Sequence, residues 1–165
     1  MLDKLVTTLI YMLEEQARFY KTLLNFAIDK QPILVKGDIE ALDKITSLEE
    51  DIIIQLGQKE EQRAKVQKAL ALDLGVPADK ITIEMLKDRV EPELGAKLVA
   101  VAEHMTGTLK ELKDKNDANN QMIKQSLDFI DYTVNVVTSL EEERPSYPQK
   151  EGKGKDRPRI FDQKV

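Results

Sequence analysis

The chain has 165 residues, a net charge of −5, 41% hydrophobic and 33% charged residues, no Cys, no Trp and a single His. That is one domain plus a tail, apolar enough for a core that must be built from Leu, Ile and Val. It excludes disulfides, thiolate metal sites, a Cys nucleophile and every site needing two histidines.

From Leu2 to Asp29 the apolar residues recur every three or four positions, which predicts a helix about 42 Å long. Leu2, Leu5, Leu9, Met12, Phe19, Leu23 and Phe26 form one seam, broken only by Gln16. Val6, Leu13, Tyr20 and Ala27 widen it. Pro32 lacks a backbone donor and disfavours helix at Gln31, so a kink or stop is expected there. Gly37-Asp38 follows, with Asp38 suited to cap a second helix.

The second helix is predicted from about Asp38 to Leu72, with Ile39, Leu42, Ile45, Ile52 and Leu56 as its stripe. Residues 58–65 are almost wholly polar, and a solvated stretch without covering partners is expected there. Gly75 and Pro77 end the helix. Residues 76–91 read as a connector holding one short helix, Ile83 to Asp88, capped by Thr82.

Pro92 suits the first position of a last helix running to about Glu142, roughly 75 Å at 1.5 Å per residue. Leu94, Leu98, Val101, Met105, Leu109 and Leu112 line its first half. Met122, Ile123, Leu127, Ile130, Val134, Val137 and Leu140 line its second half, with Phe129 and Tyr132 off that stripe. Asn116 and Asn119 interrupt the seam between the halves, either to fix register or to mark a hinge. A helix of this length has to bend, break or run past its neighbours. The surplus apolar surface of Met122–Leu140 either completes a three-helix core or receives a partner helix. The fold class is therefore all-α: an elongated antiparallel bundle of three long helices with a short connector helix.

Beyond residue 143 the composition changes. Residues 144–165 hold seven basic and three acidic side chains, a net +4, which leaves −9 on residues 1–143. Pro145, Pro148, Pro158, Gly152 and Gly154 break any helix, so a helical domain over 1–143 and a disordered basic tail over 144–165 are expected. The acidic body argues against nucleic acid as a partner. No apolar run is long enough to enter a membrane, and Met1–Glu15 has no signal-peptide pattern. Together with the absence of Cys this suits a cytoplasmic protein.

No residue is nominated as catalytic, and no cofactor or metal is expected. His104 has Val101 three positions before it, not the Glu of a di-iron motif. Pairs such as Glu14-Glu15, Glu49-Glu50 and Glu60-Glu61 diverge by about 100° on a helix and read as a solvated face. Gly152-Lys153-Gly154-Lys155 lacks the spacing and the Ser/Thr of a phosphate loop.

Two stretches resemble the FlgN family of flagellar export chaperones. The first is Leu34-Val35-Lys36-Gly37-Asp38-Ile39-Glu40-Ala41-Leu42, followed by Glu49-Glu50. The second is Asn116 with Asn119-Asn120-Gln121-Met122-Ile123-Lys124-Gln125-Ser126-Leu127. The helix order agrees as well, over about residues 2–140. The resemblance implies a cytosolic, non-enzymatic chaperone that holds hook–filament junction proteins of the FlgK and FlgL type by their helical C-termini. It also implies delivery to the flagellar export gate. Carried onto this chain, the client-binding residues are Met122, Ile123, Leu127, Ile130, Val134, Val137 and Leu140, and the protein is a monomer more readily than a stable oligomer. In the tail, Tyr147 and Phe161 are candidates for gate docking; the tail alternatively folds back on the acidic body. The other open reading is a self-associating coiled-coil adaptor or scaffold, with the same stripe as its homo-oligomer seam.

Overall fold

In a computed structural model, which describes the backbone of residues 1–142 and side chains to Ser139, the chain is helical almost throughout. Four helices follow in order: α1 (Leu2–Lys36), α2 (Ile39–Leu74), α3 (Ile83–Lys87) and α4 (Pro92–Glu142). No strand occurs among the described residues. The chain divides into two compact units, Met1–Ser126 and Leu127–Val165.

Within the first unit, α1 and α2 run antiparallel. Glu15 and Gln16 pair with Lys59 and Glu60, whereas Lys30, further along α1, pairs with Glu49, earlier in α2. α4 runs parallel to α1: Leu98 and Val101 share a cluster with Val6, Leu9, Ile10 and Leu13, and further along Asn119 meets Ala27. Consecutive long helices are thus antiparallel, and α1 contacts both α2 and α4. Leu70 and Leu86 complete the apolar cluster, with Ile81 and Ile83 packed on it, so α3 and its flanks close one end of the bundle.

The contact of α1 with both helices changes which residues are inside. The expected seam through Met12, Phe19 and Phe26 is only half-buried. The deepest positions are Val6, Leu9, Ile10, Leu13, Gln16, Ala17, Leu23, Leu24 and Ala27. A helix touched on two sides needs a wider stripe than one resting on a single partner, and small residues such as Ala17 and Ala27 let those partners approach.

Pro32 does not stop α1. Pro32 and Ile28, whose carbonyl loses its donor, are both exposed, so water is at hand for that carbonyl. The helix ends at Gly37 (φ 68°), whose N–H bonds the Leu34 carbonyl while that of Asp38 bonds Ile33. Gly75 (φ 65°) ends α2 in the same double-bonded manner. An added Cβ at Gly37 meets no neighbour, so its cost is the left-handed backbone alone. Gly37→Ala should lower the unfolding free energy by about 1 kcal/mol, and Gly37→Asn by less, read from urea midpoints.

The expected caps are present: Asp38 accepts from the Ala41 N–H at 3.0 Å, and Thr82 from that of Met85 at 3.1 Å. The polar stretch of α2 is not left without a partner. Lys59 and Glu60 face α1 at Glu15 and Gln16, the polar break of that helix. Two irregularities that look unrelated along the chain form one layer across the bundle.

Candidate protein-binding surface

α4 is a single helix from Pro92 to Glu142, without a break at its Asn-rich stretch. Asn116 is exposed, whereas Asn119 is 4% exposed and its amide donates to the Ala27 carbonyl at 2.8 Å. That bond sets the register of α4 on α1, the role a polar residue in a helix seam often takes. It also spares a buried amide the cost of going unpaired.

The burial pattern changes after Asn119. Met122 is half-buried. Ile123, Leu127, Ile130, Val134 and Val137 are all exposed, four of them by more than half. The side chain of Leu140 and the tail residues Tyr147 and Phe161 lie outside the described residues. Phe129 (69%) and Tyr132 (66%) are more exposed still, and Val136, which the sequence reading passed over, joins them. Its signal was available: it lies seven residues after Phe129. Exposed apolar residues elsewhere stand near helix ends (Val35, Ile39, Leu72) or in ones and twos within α1 and α2 (Tyr11, Ile28, Leu48, Ile53, Ile54), as is ordinary for a protein surface. From residue 123 to 137, by contrast, the apolar residues are consecutive at helical spacing.

This segment is chemically prepared to lose water. Between Met122 and Ser139 the only charged residues are Lys124, Asp128 and Asp131. Four hydroxyls turn inward: Ser126, Thr133, Thr138 and Ser139 donate to the carbonyls of Met122, Phe129, Val134 and Asn135 at 2.8–3.0 Å. Hydroxyls satisfied within their own helix can be covered by an apolar partner at little further cost.

The bundle itself is tuned by the polar layer. Lys59 donates to Glu15 at 2.6 Å and Tyr11 to the same carboxylate at 3.0 Å. These bonds, Lys59 first, hold the Glu15 carboxyl below its ordinary value of 4.5 and hold the Lys59 ammonium above its ordinary 10.5. Glu60 is also lowered, chiefly by Arg63 and then, past an opposing effect of burial, by the Gln16 amide at 2.9 Å. The lowered carboxyls add stability above pH 4.5 that is lost as pH falls through their depressed values. The raised Lys59 adds stability below pH 10.5 that is lost as pH rises through its own. Urea midpoints should therefore hold through neutral pH and fall on the acid side. Glu15→Gln with Glu60→Gln should flatten that acid limb.

His104 is exposed and borders a shallow depression with Glu14, Arg18 and Lys21. Among the described residues, no group of three His, Asp or Glu side chains is placed to hold a metal ion. No described helix is long and apolar enough to cross a membrane.

No curated protein and no solved structure matches the chain. The family model described as FlgN protein matches residues 1–153, and with them the helical bundle and the whole exposed stripe of α4. The chain therefore belongs to the FlgN family, whose members are chaperones of flagellar export.

Proposed function

We propose that this chain is a cytosolic chaperone that receives the helical C-terminus of hook–filament junction proteins of the FlgK and FlgL type on the last turns of α4. The client-binding residues are Met122, Ile123, Leu127, Ile130, Val134, Val137 and Leu140. One observation carries this reading: an ordered helix exposes an apolar seam, Ile123 to Val137, at alternating steps of four and three. That spacing is the one a second amphipathic helix packs into. Segments destined for coiled coils in a filament carry such seams before assembly, and a helix with the matching stripe shields them without consuming ATP. Release to the export gate completes the role; Tyr147 and Phe161, the candidate docking residues of the 144–165 tail, lie outside the described residues.

The test is titration of a FlgK-type protein into the wild-type chain and into the double variant Leu127→Asp, Ile130→Asp. A lower affinity or a lower stoichiometry with helicity retained supports the assignment. Wild-type affinity and stoichiometry in the variant remove it. The same seam would serve a self-associating scaffold, which light scattering separates: a stable dimer that the double variant dissociates favours the scaffold, and a monomer favours the chaperone.

A further inference from the structure

The exposed end of α4 is wider than one partner helix requires. At about 100° per residue, the apolar and inward-bonded side chains from Leu127 to Ser139 sweep roughly 260° of the helix circumference. A single packed neighbour needs a stripe of about 100°. The polar remainder is narrow and holds Asp128, Asp131 and Asn135.

That arc resolves into two seams. One is Leu127, Ile130, Val134 and Val137, all exposed by about half. The other is built on Phe129 and Val136, with Tyr132 at its edge and Thr133 between the two seams. The second seam has a history within α4. Leu98, Val101, Met105, Thr108 and Leu112 lie at steps of three and four, and Asn119 and Met122 keep the same heptad phase. All of these are buried or half-buried, and this is the face by which α4 packs on α1. Continued in the same phase it reaches Ser126, Phe129, Thr133 and Val136. Phe129 and Val136 thus keep the heptad phase of that packed face, yet they are 69% and 39% exposed. The seam of Leu127 and Ile130 begins at Ile123. Upstream of that, its phase falls on Asn120, Asn116 and Lys113, all exposed and polar.

We infer that the end of α4 is clasped by two client helices at once, one in each seam, with the helix taking the place of the third strand of a three-helix coil. This rests on the reading of the segment as a client-binding surface. The occupant of the Phe129–Val136 seam continues the packing that α1 provides earlier on the same face. The occupant of the Leu127–Val137 seam meets a surface that no part of the described chain covers.

The test uses the full-length chain and, as probe, a synthetic peptide carrying the C-terminal heptads of one FlgK-type client helix, followed by isothermal titration. Two peptides per chain are expected. Leu127→Asp with Ile130→Asp should reduce the stoichiometry to one, and so should Phe129→Asp with Val136→Asp. One peptide per chain in the wild type overturns the two-helix inference while leaving the single-seam reading in place. A Phe129, Val136 variant that still binds two peptides overturns it equally. No binding by the wild-type chain overturns both.

Discussion

Leu70→Ala is expected to lower the unfolding free energy by about 2–5 kcal/mol, in the upper half of that range. Leu70 is fully buried and belongs to one apolar cluster with Val6, Leu9, Leu13 and Leu86. Truncation removes the transfer energy of the lost atoms and leaves a cavity. The surroundings have little freedom to fill it, because Leu9, Leu13, Ile81, Ile83 and Leu86 already line a cleft beside Leu70 and the void would join it. The loss should appear as a lower urea midpoint with an unchanged slope, since the exposed area of the unfolded chain is the same. A reduction under 1 kcal/mol would mean that α3 does not seal the bundle end as described.

The double change Leu127→Asp, Ile130→Asp is expected to do the reverse. Both side chains are more than half exposed, 56% and 55%, so the folded state gives up little when they are replaced. Surface substitutions of this sort shift stability by about 0.5 kcal/mol each, and the lower helix propensity of Asp adds a few tenths. The urea midpoint of the first unit should stay within error. Client affinity at the Leu127–Val137 seam should fall about 100-fold or more, because each Asp would carry a charge into the centre of that seam, where such positions are worth about 2 kcal/mol each. Far-UV dichroism and a binding titration on one sample check both halves of the statement. Unfolding of the variant would place these residues in a core.

A Leu on an apolar stripe has no fixed meaning: Leu70 is fully buried and Leu127 is more than half exposed. Leu70 and Leu127 occupy stripes of the same helical period. Periodicity states that a face is apolar; it does not state whether anything covers it.

The helices and most of their ends were legible in the amino-acid pattern. Helical spacing, Asp38 and Thr82 as caps, and Gly37 and Gly75 as terminators act through bonds within a few residues, so local pattern was sufficient. The family was legible for the same reason, through two stretches of helix pattern that the match over residues 1–153 bears out. Tertiary structure decided the rest, because each remaining question concerned a residue's neighbour across the bundle. It carried α1 through Pro32 by setting that turn at the surface. It rotated the α1 core toward Ile10, Ala17 and Leu24, since two helices press on it. It joined Gln16 to the polar stretch of α2, and it gave Asn119 a carbonyl of α1 as its partner. Last, it decided which half of α4 has its apolar face filled by the chain's own helices and which half presents it outward.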